Sequence, residues 1–232
     1  MPLFFGTAGN DTIAGTAGPD LVVSFSGDDL IRTADDDDLI FAGADNDKVY
    51  AGNGDDYAFG GSGDDYLNGG AGRDFLSGGE GSDELEGEDG NDVLVGGNGI
   101  DRLYGGNDSD RLSGGNDTDR LVGGKGRDIL MGDEGADVLY GFDGTALGDG
   151  ATDIFDFNLL TDSNSVAHDI IMDFEQQIDK IDLADLSAFG INGMADLAIG
   201  DDGTNTYIKG VNVDFLVELS GVYTLGATDF IF

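Results

Sequence analysis

From Gly6 to Tyr140 an apolar residue returns every nine positions: Ile13, Val22, Ile31, Ile40, Val49 and Ala58, then Leu at each ninth residue from Leu67 to Leu139. Two positions before each stands an aspartate, giving the column Asp11, Asp20, Asp29, Asp38, Asp47, Asp56, Asp65, Asp74, Asp83, Asp92, Asp101, Asp110, Asp119, Asp128 and Asp137. The unit is clearest in Gly60-Gly61-Ser62-Gly63-Asp64-Asp65-Tyr66-Leu67-Asn68. Its glycine-rich first half suits a tight turn, because glycine tolerates positive φ and close backbone approach. Its apolar eighth position, flanked by two variable residues, suits a short strand with position eight inward and positions seven and nine outward. A fixed short period predicts stacked turns. With two units per coil, odd and even units form two opposed parallel sheets. Neighbouring turns on one edge are then 18 residues apart in sequence and ~4.8 Å apart in space.

The register breaks near residue 145. Of the 42 glycines, 33 precede that point and 9 follow it. Gly141 opens a partial repeat, and the last recognisable one, Gly148 to Asp156, begins seven residues later. The expected organisation is a repeat region at 1–144 and a β-rich cap at 145–232. Within the cap, Asp169 to Leu183 and Asn205 to Leu219 read as strands separated by Gly and Asp turns. Ala184 to Phe189 reads as a short helical turn.

Charge turns this pattern into chemistry. The chain of 232 residues holds 48 acidic and 10 basic side chains, a formal charge of −38. Nucleic acid and anionic membranes are excluded as natural partners, and a cationic one is called for. Carboxylates ~4.8 Å apart repel by ~1 kcal/mol in water and by ~3–4 kcal/mol at an effective dielectric near 20. A hard divalent cation between successive aspartates reverses that sign, with turn carbonyls completing the oxygen shell, which suits Ca²⁺ better than Mg²⁺. Fifteen units leave at most about 13 such positions. At calcium tenfold above Kd each adds ~1.4 kcal/mol. A dozen then add roughly 17 kcal/mol, more than the ~5–15 kcal/mol of an ordinary domain. Folding is therefore expected to depend on calcium. Disordered, solvated sequence would not keep Asp and an apolar residue in fixed columns. Some units depart from the pattern: units three to five open with Ser24-Phe25, Thr33-Ala34 and Ala42-Gly43, and Asp36, Asp45, Asp108 and Asp117 stand where the second turn glycine is usual.

Gly-Gly-x-Gly-x-Asp-x-apolar-x resembles the repeat of the RTX (repeats-in-toxin) proteins over residues 6–156. Asp153-Ile154-Phe155-Asp156-Phe157-Asn158, Asp169-Ile170-Ile171-Met172-Asp173-Phe174 and Asp179-Lys180-Ile181-Asp182-Leu183 are similar to the C-terminal domain of serralysin-type metalloproteases and to the R modules of mannuronan epimerases. The resemblance implies an all-β, right-handed parallel β-roll. Each calcium would take the Asp of one repeat and the Asp 18 residues on, plus turn carbonyls. The carbonyls so implicated are those of Gly52, Gly54, Gly61, Gly63, Gly69, Gly70, Ala71, Gly72, Gly78, Gly79, Glu80, Gly81, Gly87, Asp89, Gly96, Gly97, Asn98 and Gly99. It also implies type I secretion to the extracellular medium through an exporter that reads an uncleaved C-terminal signal. The ending Asp229-Phe230-Ile231-Phe232 fits such a signal, and Met1 to Asn10 lacks the basic and apolar segments of an N-terminal one.

No enzyme is expected. The chain has one histidine, His168, so the two-histidine zinc helix is absent, and there is no Gly-x-Ser-x-Gly elbow. Pairs such as Asp64-Asp65 read as one ligand and one solvated turn residue rather than an acid–base pair. Without cysteine, disulfides and thiolate metal sites are excluded. No apolar run reaches the ~20 residues of a membrane span.

The two faces differ. On even units, positions seven and nine are apolar or aromatic at eleven of fourteen places, among them Leu39, Phe41, Tyr57, Phe59 and Phe75. A face this apolar predicts that residues 157–232 fold back over part of it, or that it serves self-association. On odd units Arg102, Tyr104, Arg120 and Tyr140 cluster. Guanidinium groups beside aromatic rings are the chemistry of an acidic-polysaccharide site, as the epimerase resemblance also implies. The readings that remain are a calcium-binding module, a binding module for an alginate-like polysaccharide, and a structural component of an extracellular matrix or surface layer.

Overall fold

A computed structural model of the chain describes residues 1–142, 149–158, 163 and 168–232. It is an all-β parallel solenoid in which successive strands alternate between two sheets. Even units build an 11-stranded sheet that starts at Leu3–Phe5 and ends at Phe230–Ile231. Odd units build a 12-stranded sheet that starts at Thr12–Ala14. Pairing is parallel with an 18-residue offset, as in Leu67↔Leu85↔Leu103.

The eighth-position residues fill the space between the sheets in single file. From Val22 to Leu139 each is fully buried. A solenoid this narrow has no other place for a core, which is why the apolar column admits no polar exception. Strands are longer than the sequence suggests: in the middle of the chain they run six residues, as in Tyr66–Ala71, and continue into the first three turn positions. The break falls at positions four to six, where Gly54, Gly63 and Gly72 adopt φ of 144°, 120° and 139°.

Beyond the repeats the stacking continues. Ile154–Asp156 pairs in parallel with Ile129–Glu134, Asp169–Ile171 with Val138–Tyr140, and Lys180–Asp182 with Ile154–Asp156. An antiparallel set, Leu197–Asp201, Thr206–Gly210 and Leu216–Leu219, then closes the odd sheet. Ala184–Phe189 is a 3-10 helix. The described residues beyond 157 therefore extend the stack and do not fold back over the even face. The reason lies in the triplets Asp153-Ile154-Phe155, Asp169-Ile170-Ile171 and Asp179-Lys180-Ile181. Each repeats the Asp-x-apolar half of the unit, so each offers the ladder another rung. The expected boundary near residue 145 lies outside the described residues, as does Gly148.

Candidate metal centre

Each column aspartate is placed by the backbone of its neighbour. The amide of one aspartate donates to Oδ1 of the aspartate 18 residues on: Asp65 to Asp83 at 2.8 Å, Asp74 to Asp92 at 2.8 Å, Asp110 to Asp128 at 2.9 Å. The ladder runs without a gap from Asp11 to Asp137 on the two edges. It then continues across larger offsets, from Asp128 to Asp153 (2.9 Å), Asp137 to Asp169 (2.9 Å) and Asp153 to Asp179 (3.1 Å). Asp153, Asp169 and Asp179 thus belong to the columns although they are absent from the periodic set. Their Asp-x-apolar triplets were the available signal, hidden by spacings of 25, 32 and 26 residues.

The second oxygen is the informative one. From Asp38 to Asp128, Oδ2 of eleven consecutive column aspartates is buried and accepts no hydrogen bond. All eleven residues are no more than 3% exposed. An ionised carboxylate with one buried, unpartnered oxygen is a costly arrangement. Burial is the main reason these groups titrate high, with neighbouring carboxylates adding to it and the Oδ1 hydrogen bond opposing it. Asp47, Asp56, Asp83 and Asp92 are pushed up to about 6. Asp65, Asp74, Asp101, Asp119 and Asp128 rise to about 7, and Asp110 to about 8.

At the start of both columns, and at the end of the even one, the protein supplies its own partners. Oδ2 of Asp11 accepts from the amide (2.5 Å) and hydroxyl (2.9 Å) of Thr7. Oδ2 of Asp20 accepts from the Thr16 amide at 2.6 Å, and Oδ2 of Asp29 from the Ser24 hydroxyl. Thr33, which opens the next unit, instead gives its hydroxyl proton to the Ala51 carbonyl at 2.6 Å. At the far end Oδ2 of Asp179 accepts from the Glu175 amide at 2.7 Å. Both oxygens of Asp229 are likewise satisfied, by the amides of Gln177 (3.0 Å) and Gly226 (2.8 Å). Sequence reasoning missed these hydroxyl and amide caps: Ser24 stood among the departures from the glycine pattern, and Thr7 and Thr16 carried no assigned role.

The central cradle is lined by oxygen. A β-carbon on Gly60 would meet both Asp65 Oδ2 and, at 2.8 Å, the Gly78 carbonyl. A β-carbon on Gly87 would meet Asp92 Oδ2 and the Gly105 carbonyl at 2.5 Å, and one on Gly123 would meet Asp128 Oδ2 and the Gly141 carbonyl at 2.7 Å. First-position carbonyls therefore lie beside the unpartnered oxygens of Asp65, Asp92, Asp101, Asp110, Asp119 and Asp128. Third-position carbonyls, including those of Ala71, Glu80, Asp89 and Asn98, accept amides of the adjacent turn at 2.8–2.9 Å. Second- and fourth-position glycines such as Gly52, Gly54, Gly61, Gly63, Gly70, Gly72, Gly79, Gly81, Gly97 and Gly99 hold the turn in left-handed geometry. Where the fourth position is Asp36, Asp45, Asp108 or Asp117, the backbone keeps φ of 67–79°, a conformation aspartate tolerates better than most residues. Among the described residues no three acidic or histidine side chains converge on one point. A cation here would rest on carboxylate and carbonyl oxygens together, the donor set of a hard ion.

On the odd face the strands place Arg102 beside Arg120, and Tyr104 two rungs from Tyr140. The Arg120 guanidinium lies 4.1 Å from the centre of the Tyr140 ring. His168, the residue before the column Asp169, holds its Nε2 3.3 Å from Glu218 Oε2.

Among solved structures, the chain is similar to the AlgE6R2 subunit of the Azotobacter vinelandii mannuronan C5-epimerase, with 29% identity over 73% of this chain and 88% of that one and a TM-score of 0.33. The AlgE6R3 subunit of the same epimerase shows 22% identity over 98% of this chain and 80% of that one, at a TM-score of 0.29. The extracellular lipase LipA from Serratia marcescens shows 18% identity over 100% of this chain and 40% of its own, at 0.25. No curated protein matches. The family model of the RTX calcium-binding nonapeptide repeat matches residues 5–40, 23–58, 33–67, 59–94, 86–121, 95–130 and 122–145, well over half of the chain. With a column aspartate and an inward apolar residue in every unit of that stretch, the chain belongs to the RTX calcium-binding nonapeptide-repeat family.

Proposed function

We propose that this chain is a secreted, non-enzymatic calcium-binding roll that folds when calcium fills its columns outside the cell. The run of buried, unpartnered Oδ2 atoms from Asp38 to Asp128 carries this reading. Beside that oxygen in Asp65, Asp92, Asp101, Asp110, Asp119 and Asp128 lies a first-position carbonyl, and on this reading each unit of the run would support one cation. At most eleven follow, fewer than the thirteen that spacing alone allows. The column aspartates and first-position carbonyls would hold calcium, which supplies the positive charge that the carboxylates lack. The protein's own part is to hold each Oδ1 by an amide and to keep water out. An uncleaved C-terminal signal, a type I exporter and extracellular localisation belong to the same reading. Low cytosolic calcium would leave the chain unfolded for export. The division into a roll at 1–144 and a serralysin-like cap at 145–232 is retained, with the cap adding rungs to the stack.

Circular dichroism during a calcium titration, paired with native mass spectrometry, tests this. A chelated chain without β-structure that folds on taking up about eleven ions is the expected result. A chain fully folded in excess chelator at neutral pH would overturn it.

One observation favours a second reading, an acidic-polysaccharide module. Arg102, Tyr104, Arg120 and Tyr140 share one patch, and an arginine paired with an aromatic ring suits a uronate carboxylate above a sugar face. Alginate-oligomer binding that is lost in Arg102→Ala/Arg120→Ala would establish it. No binding by the folded chain would remove it.

A further inference from the structure

The seventh-, ninth- and second-position columns on the outward face of the even sheet carry no charged side chain from Leu3–Phe5 to Val93–Asn98. Three side-by-side columns make it up. The seventh-position column runs from Leu3 through Tyr57 to Val93, and the ninth-position column from Phe5 through Phe41 and Phe59 to Val95. The third column is the second position of the following unit, which is Gly43, Gly61, Gly79 and Gly97 in its central rungs. The aromatic columns form a ridge: Phe41 stacks on Phe59 at 5.1 Å and Tyr57 on Phe75 at 5.9 Å. The glycines form a flat shelf beside it. Leu3, Phe5, Phe41 and Tyr57 are 40–61% exposed.

Phe25 interrupts the shelf at high cost. It is held at φ 80°, is 53% exposed, and stacks on Phe5 at 6.1 Å. Left-handed geometry disfavours a bulky residue and suits glycine. Among the described residues no aromatic ring but that of Phe5 stacks on it.

We infer that this face pairs with the same face of a second copy, ridge on shelf, about a twofold axis that lies in the interface and runs parallel to the columns. Electrostatics select that partner. In a chain of charge −38 most described surfaces repel a copy, whereas the three columns of this face bring no charged side chain to a contact. The odd face at the same level carries Arg32, Lys48, Glu84 and Glu86. Shape agrees, since ridge and shelf run parallel and a twofold turn sets each against the other, the geometry of an isologous contact. Six strands ~4.8 Å apart and three columns wide offer on the order of 600 Å² per copy, near the lower end of stable interfaces. A flat sheet encloses no small ligand. A face without Lys or Arg, set in an acidic surface, is repelled by an anionic bilayer.

Sedimentation velocity of the full calcium-loaded chain at about 50 µM tests the pairing, with circular dichroism reporting the fold of every sample. A dimer is expected, together with monomers for Phe41→Glu/Tyr57→Glu and for the more exposed Phe5→Glu, and an unchanged dimer for Tyr50→Glu on the odd face. If the double variant does not fold, Phe5→Glu decides alone. A folded wild-type monomer overturns the inference, as does a dimer that survives every even-face variant that folds. Co-flotation of the monomer with phosphatidylcholine vesicles would assign the face to lipid instead. Because folding is read separately, failure here is distinct from failure of calcium-dependent folding.

Discussion

A column aspartate gives its two oxygens different tasks. Oδ1 takes the amide of the turn 18 residues earlier and fixes the side chain, while Oδ2 is left facing carbonyls. The first task needs only an acceptor and the second needs a charge, so an amide side chain separates them. Asp92→Asn keeps an acceptor for Asp74 and removes the charge. One calcium fewer is expected in native mass spectra, and the loaded chain loses ~1.4 kcal/mol when calcium is tenfold above Kd. In chelator the same variant should gain β-structure, because one buried like-charge neighbour has gone. Loss of β-structure in both conditions would show that the charge is not what the site needs.

At the scale of the element, both columns open, and the even one also closes, on groups that need no cation. The opening caps are Thr7, Thr16 and Ser24, and the closing ones are backbone amides around Asp179 and Asp229. Removing a cap should therefore turn an end rung into a central one. Ser24→Ala is expected to raise the number of bound calcium ions by one, counted in native mass spectra; an unchanged count would show that the opening rungs exclude cations for another reason. Period nine made the repeats, the two sheets and the inward Leu column legible before any coordinate was known. The caps were not, since a hydroxyl in a glycine position reads as noise until its distance from a carboxylate is seen. The added rungs at Asp153, Asp169 and Asp179 were half legible. Their local triplets repeat the unit, but the intervening loops destroy the spacing. Only the stack itself shows that the C-terminal strands lie beyond the even face, because apolar sequence alone does not say which of two apolar surfaces meet.

For the whole molecule, the raised carboxylates link stability to pH with a definite sign. A group whose folded value lies above its unfolded value binds protons more tightly when folded. Its contribution is complete below the unfolded value near 3.8 and is lost as pH rises through about 6 to 8. The chelated chain should accordingly gain β-structure on acidification from pH 8 to about pH 5.5, with protons taking the place of calcium. Calcium affinity should fall over the same interval as proton and metal compete. Circular dichroism across that range, with and without chelator, checks both; an apo chain less folded at the lower pH would contradict the carboxylate account.

The 18-residue register also sets a grammar for insertions and deletions. Removing nine residues would leave every aspartate and every inward leucine in phase, yet every later strand would change sheets, so aromatic and charged outward residues would mix on both faces. Removing eighteen restores each to its own side. The heritable unit of this chain is thus two repeats, and its length can drift by whole coils while its two surfaces stay distinct.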